Sequence, residues 1–359
     1  MTLNMKRLLL VCLTVVMVTQ GLFAGNPDRA GQAGASELLV NPWSRSLGWN
    51  NVNYSNIRGI EAMRVNVAGL AFLDKTGVAF SRTEYLVGSG INVNALGFGQ
   101  NLGDGTLGLS VMTVGYGDIE ITTTNQPEGG LGTFSPQFVN IGIAYAHSFA
   151  DFIHGGVVVR IVSEGIPDAR ATGVAIDAGL QYNTGNDTYP DKFKFGVSLR
   201  NVGTPMSFSG DGLKFRADVI AGTYQNTVSQ LSQAFELPSQ LNIGASYDMY
   251  VQYKHRITVA GSFTSNAFYR DQIGLGLEYG LKVKGREMFL LRGGYRYEEG
   301  FLNAEVLNGN AFTGWAGGFT VMIPFSSDEE VPRMALDYAY RTTNPSFQGS
   351  HTVGVTLDF

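Results

Sequence analysis

The end of the chain limits its fold more than any other stretch. Residues 350–359 read S-H-T-V-G-V-T-L-D-F, and successive side chains of a strand point to opposite faces. Val353, Val355, Leu357 and Phe359 therefore share one face, and Thr352, Gly354, Thr356 and Asp358 share the other. A strand that is apolar on one side and small or polar on the other suits a membrane barrel, where lipid meets one face and the lumen the other. An edge strand of a soluble sheet alternates in the same way, so the rest of the chain must decide between the two.

From about residue 76 onward, period-2 runs follow one another with turn residues between them. They lie near 76–87, 91–101, 105–124, 134–148, 152–164, 170–183, 192–207, 238–250, 254–264, 270–283, 287–299, 311–325, 333–342 and 350–359. Most are long enough to cross a bilayer at the usual tilt. The expected fold class is all-β, a transmembrane antiparallel barrel of about 14 strands, an even count that puts both termini on the periplasmic side. Short connections at 149–152, 251–253 and 284–286 fall on that side, and longer ones at 125–133, 209–237, 300–310 and 343–349 fall outside. The segments 183–191 and 326–332 and the tight hairpin at 87–90 break the pattern.

The faces follow from the cost of charge in lipid, about 2 to 4 kcal/mol for Arg or Lys at mid-bilayer. In residues 273–281 the apolar side chains face out, while Gly274, Gly276, Glu278 and Gly280 face in. Phe289, Leu291, Tyr295 and Tyr297 point outward, with Arg292, Arg296 and Glu298 inward. Met334, Leu336, Tyr338 and Tyr340 point outward, with Asp337 and Arg341 inward. Glu278, Arg292, Arg296, Asp337 and Arg341 are therefore expected to form a lumenal ion-pair network. Such pairs obstruct a narrow lumen and argue against a wide porin.

Composition agrees with a barrel. Only 15% of residues are charged, against 47 Gly, 22 Phe and 16 Tyr in 359 residues. That suits a lipid-facing wall with aromatic girdles and small inner residues. The net charge of -5 leaves no basic surplus for nucleic acid. At the start, Lys6 and Arg7 precede an apolar run over 8–18, then Thr19, Gln20, Gly21, Leu22, Phe23 and Ala24, with the cut expected after Ala24. This reads as a secretory signal peptide over 1–24, with Leu22 a poor residue three before the cut. The apolar run falls short of a bilayer span. The single cysteine, Cys12, lies in the signal after Val11, so a lipoprotein signal and thiol chemistry in the mature chain are excluded. No later segment approaches 18 uninterrupted apolar residues.

Residues 25–75 do not read as a strand ladder. Residues 33–40 suit a short helix, and Arg45, Arg58, Glu61, Arg64 and Asn66 stand in an apolar-flanked block. This points to a hatch in the barrel mouth held by ion pairs; a loose periplasmic tail is the alternative. The long outer segment 209–237 alternates apolar and polar residues and suits a short helix near 228–234. With Phe208, Phe215, Tyr224, Leu231 and Phe235 it forms either a partner-binding surface or a lid. His147, His154, His255 and His351 show no zinc-ligand spacing, and neither a G-x-S-x-G elbow nor a P-loop occurs. Gly97, Gly99 and Gly103 miss dinucleotide spacing by one residue. No enzyme activity, metal or cofactor is expected; a hydrolase built from dispersed Ser and His is the weaker reading.

Two resemblances sharpen these expectations. Thr352, Gly354, Leu357 and Phe359 resemble the C-terminal signal read by the bacterial outer-membrane barrel insertion machinery. Ser44-Arg45-Ser46-Leu47-Gly48-Trp49 and Asn66-Val67-Ala68-Gly69-Leu70-Ala71, with the signal, strand ladder and terminal Phe, look like the PorV/PorQ family of FadL-type barrels. Trp49 and Val67 depart from that family's usual Met and Pro. The resemblance implies a fourteen-stranded bacterial outer-membrane barrel over 76–359 with an N-terminal hatch over 25–75. For PorV-like members it implies type IX protein secretion, with a larger translocon barrel or the C-terminal domains of secreted cargo as partners. For FadL-like members it implies transport of hydrophobic small molecules, with Phe208, Phe215 and Phe235 lining an access groove.

Overall fold

The computed structural model describes residues 27–29, 31–186, 189–220, 224–252, 254–283, 285–298, 314–325, 333–343 and 348–359. The expected signal peptide at 1–24, the loop at 300–310 and the connection at 326–332 lie outside the described residues. The strands, in chain order, are β1 (Thr76–Tyr85), β2 (Ile91–Asn101), β3 (Thr106–Gly115), β4 (Ile119–Glu120), β5 (Thr133–Phe134), β6 (Gln137–Ala150), β7 (Ile153–Ile166), β8 (Ala169–Asn186) and β9 (Tyr189–Gly203). They continue as β10 (Lys214–Ile220), β11 (Tyr224–Ser229), β12 (Gln240–Val251), β13 (His255–Asn266), β14 (Gln272–Val283), β15 (Arg286–Glu298), β16 (Gly314–Pro324), β17 (Arg333–Arg341) and β18 (Ser350–Asp358).

Fourteen of these close into one antiparallel barrel, each pairing with its neighbour along the wall and β18 pairing with β1. Closure leaves no strand edge, the condition for a sheet to stand in hydrocarbon. Phe80 faces Val355 across the seam, so the terminal strand sets the register that shuts the wall. On β14, Leu275 is 65% exposed while Glu278 is 5% exposed. The same apolar belt is carried by Leu109, Ile143, Val159, Leu199 and Phe319 around the wall. A belt of that extent requires a membrane. Exposed Phe149, Phe152, Tyr182, Phe193 and Tyr247 gather near the end with the short turns, and Trp315 and Tyr340 near the other. These are the two interfacial girdles.

Three boundaries differ from the sequence reading. The third run ends at Gly115, and β4 pairs with β5 as a separate two-stranded piece beyond the wall. The 183–191 connection is short because β8 and β9 extend into it as far as Asn186 and Tyr189. The helix expected near 228–234 is absent: β10 and β11 form a hairpin, with Phe215 opposite Val228. β-branched and aromatic residues such as Tyr224, Thr227 and Val228 lose side-chain freedom in a helix and pack well on a pleated surface.

Residues 33–73 run through the lumen as short helical turns: Ser36–Leu39, Ser44–Gly48, Ala62–Val65 and Val67–Phe72. Turns this short have no stability of their own and depend on packing. Trp49 is 2% exposed, seated where the wall carries glycine. A Cβ on Gly276 would fall 2.6 Å from its indole ring. The small inner residues of the wall are thus the seat of the hatch. Two substitutions separate the faces. Leu275→Arg places a charge in lipid and should lower barrel stability by about 2–4 kcal/mol, read as a lower urea midpoint in vesicles. Gly276→Leu, one residue away, should leave the barrel folded but release Trp49, read as a red-shifted tryptophan emission.

Candidate functional site

The hatch and the wall meet in a continuous charge network at the level of Trp49. Lys194 contacts Asp248 at 2.7 Å, and Asp248 lies 3.9 Å from Arg256. Arg256 pairs with Glu287 at 2.5 Å and Glu278 at 2.8 Å. Glu278 pairs with Arg292 at 2.9 Å and accepts a hydrogen bond from the Trp49 indole at 3.2 Å. Arg292 then reaches Asp337 at 3.5 Å, and Asp337 reaches Arg45 of the hatch at 3.6 Å. The network holds four cations and four carboxylates, so it is neutral as a unit. Buried pairs of this kind repay desolvation only when complete, and removing one partner costs about 3–5 kcal/mol.

Glu61 stands beside this balanced set. It is buried in the hatch and accepts a hydrogen bond from Ser46 at 3.4 Å. Burial raises its pKa to about 7; Arg45 and Arg292 oppose the rise and Asp337 adds to it. Burial opposes the charge of Arg45, but Asp337 and Glu61 outweigh it and hold the guanidinium above its ordinary value.

On the outer side of Trp49 the hatch is tied by hydrogen bonds. Arg64 donates to the carbonyl oxygens of Glu37, Leu38 and Val40, at 2.6 Å for Leu38. Burial, then repulsion from Arg200 and Arg160, holds the Arg64 pKa well below its ordinary value. Asn66 donates to the carbonyls of Tyr54 at 2.8 Å and Leu180 at 3.1 Å and caps the turn that starts at Val67. Arg160 pairs with Asp177 at 2.6 Å, and Asp177 also accepts from the Asn201 backbone at 2.7 Å. Asn201 has φ +59°, and the β8–β9 register shifts there.

Above the hatch lies a chamber of about 370 Å³ bordered by Arg200, Arg296, Arg341, Tyr54 and Gln240. Outside the wall's outer end lies an apolar groove of about 740 Å³ bordered by Ile119, Phe138, Ile166, Phe208, Leu213 and Leu231. Below the hatch, cavities of about 400 and 650 Å³ share Arg58, Lys282 and Arg333 at the periplasmic end. The chamber touches the hatch at Asn51 and Tyr54, the lower cavity at Trp49 and Asn53. The hatch segment carrying these residues separates the two spaces.

The sequence-derived residues divide among these places. Glu278, Arg292 and Asp337 lie in the network. Arg296 stands apart from it, donating to neutral oxygens of Gln272 at 2.8 Å and Asn51 at 3.1 Å, because Gln272 and the hatch backbone occupy its level. Arg341 borders the outer chamber. Arg45 joins the network, whereas Arg58 is exposed with its guanidinium 4.3 Å from the centre of the Phe72 ring. Phe208 stacks loosely on Phe235, with centroids 5.7 Å apart, and Leu231 is 92% exposed at the groove. Phe215 and Tyr224 are exposed on the β10–β11 hairpin, away from the groove lining. Sequence reasoning missed Lys194, Asp248 and Arg256, which the same inward-charge rule on β9, β12 and β13 would have found, and Glu287, which alternation puts on the outward face with Phe289 and which lies beyond a register shift in the β14–β15 pair. It also missed Glu37, Tyr116 and Arg200, for which nothing in the local sequence signals a cavity.

No protein-family model matches the sequence, and no curated protein matches it either. Solved structures do. The toluene transporter TodX of Pseudomonas putida is 12% identical, with TM-score 0.56 over 89% of this chain and 97% of that one. The toluene transporter TbuX of Ralstonia pickettii is 13% identical, with TM-score 0.52 over 89% and 97%. A Pseudomonas aeruginosa FadL homologue is 11% identical, with TM-score 0.51 over 88% and 98%. At such identities the likeness is one of fold. The chain has the fold of the FadL-type barrels. The PorV/PorQ branch has no support from a family or sequence match. Two of the neighbours named, TodX and TbuX, are described as toluene transporters.

The charge balance gives a pH prediction. The docked hatch binds the Glu61 proton more tightly than the released chain, whose ordinary value is 4.5. Docking is then unpenalised below about 4.5 and weakens as pH rises through about 7. Hydrogen exchange in residues 42–70, corrected for intrinsic rates, should speed up across that window in the native chain. Glu61→Gln should abolish the pH dependence; an unchanged slope in the variant would rule out Glu61 as its source.

Proposed function

We propose that the protein is a FadL-like channel that admits hydrophobic small molecules through the outer groove and passes them to the lumenal chamber. The observation that carries this reading is the contact between those two cavities: the apolar groove and the chamber share Glu37 and Tyr116 on their borders. The groove volume of about 740 Å³ falls in the range of small-molecule sites. The fold neighbours TodX and TbuX, each described as a toluene transporter, support the same ligand class. With the hatch seated as described, the path below the chamber is closed, and release to the periplasm requires the segment carrying Trp49 and Tyr54 to move.

The test uses cells with an intact lipopolysaccharide leaflet and the apolar fluorophore N-phenyl-1-naphthylamine. Cells carrying the protein should take up the probe faster than cells without it. Phe208→Asp combined with Leu231→Asp, which charges the groove, should bring the rate back to the background. Equal rates with and without the native protein would remove the channel reading. A second reading, contact with a protein partner, draws on the exposed Phe215 and Tyr224 of the β10–β11 hairpin. Recovery of a translocon barrel or of cargo sharing one C-terminal domain in a mild-detergent pull-down, lost on deleting residues 214–229, would favour it.

A further inference from the structure

Two side chains border both the outer groove and the lumenal chamber: Glu37 and Tyr116. Tyr116 follows the last residue of β3 and is carried by the wall, whereas Glu37 sits in the Ser36–Leu39 turn of the hatch arm. The Tyr116 hydroxyl donates to the Glu37 carboxylate, so one hydrogen bond bridges wall and arm. The turn itself is anchored. Leu38 is fully buried in an apolar cluster with Phe138 and Met206, and Arg64 holds the Glu37 and Leu38 carbonyls. The backbone of the turn is thus held, and the bridge between wall and arm is made by these two side chains.

Their surroundings are electrically lopsided. Among the groove's lining residues the charged ones are Glu37 and Glu164, both acidic. On the chamber side stand Arg200, Arg296 and Arg341. Among the described residues, neither Arg200 nor Arg296 has a carboxylate within 4.0 Å. Burial and the Glu37 carboxylate push the Tyr116 phenol up from its ordinary value, so it remains a donor at neutral pH. A carboxylate beside an apolar cavity is poorly screened, and an anion approaching it meets strong repulsion. An uncharged ligand does not.

Resting on the channel reading above, we propose that Glu37 and Tyr116 form the door between groove and chamber, and that the Glu37 carboxylate restricts it to uncharged molecules. Swinging the tyrosine aside opens the passage, and the carboxylate turns anions back before they reach the arginines beyond.

Two probes with the same ring system test this in the cells described above: neutral N-phenyl-1-naphthylamine and the permanently anionic 8-anilino-1-naphthalenesulfonate. The native protein should pass the first and exclude the second. Glu37→Gln should raise the ratio of the sulfonate rate to the neutral rate about tenfold. Tyr116→Ala should raise both. A second measurement reads the door without transport: Gln240→Cys, at the chamber border, in a Cys12→Ser background, labelled by N-phenylmaleimide added from outside. Tyr116→Ala should speed that labelling severalfold. If the neutral probe crosses but both door variants leave rates and labelling unchanged, the door is overturned and the channel reading stands. If labelling responds while neither probe crosses in any version, the channel reading fails and the door stands. Faster labelling with an unchanged ratio of the two probes overturns the selectivity of Glu37.

Discussion

The exclusion of charge from lipid is the constraint on which the rest of the structure depends. A wall strand crossing hydrocarbon can place a charged side chain only toward the lumen, because the outward position costs several kcal/mol. Lys194, Asp248, Arg256, Glu278, Arg292 and Asp337 all obey this rule on their separate strands. Once inside a narrow lumen they lie too close to water-poor surroundings to remain unpaired. The network that joins them is the wall's answer, and Arg45 of the hatch completes it.

That completion explains why the hatch sits where it does. Four cations and four carboxylates cancel only when Arg45 is included. Packing then refines the position: Trp49 fills the space left by Gly276 and donates a hydrogen bond from its indole N–H to Glu278. Glu61 adds a fifth carboxyl to a set already neutral, so burial keeps its proton. A single protonation event near neutral pH therefore bears on the element that separates the upper chamber from the lower cavities.

The two upper cavities lie where these electrostatic rules relax. The outer groove lies beyond the network, and its apolar lining comes from the outer ends of β4, β6 and β7 and from the loops around β10 and β11. The chamber behind it is lined by arginines and tyrosines that the hatch leaves uncovered. The hydrogen bond between Tyr116 and Glu37 stands between an apolar, acidic exterior and a basic interior. The groove and the chamber meet at this bond.

The strands, their count, their faces and the inward direction of charge were legible in the sequence, since a period of two and the cost of charge in lipid are local properties of each strand. Glu278, Arg292 and Asp337 could be assigned to one network because they lie on strands close in sequence. The partners Lys194, Asp248 and Arg256 obey the same rule, but which charge meets which depends on barrel register and lumen width. The outer hairpin was misread as partly helical because short apolar runs carry no decisive period. The separation of Arg296 from the network, the seat of Trp49 against Gly276 and the meeting of Glu37 with Tyr116 were decided only by tertiary structure. Each joins the hatch to a wall residue far away in the chain, and only closure of the barrel around the hatch brings them together.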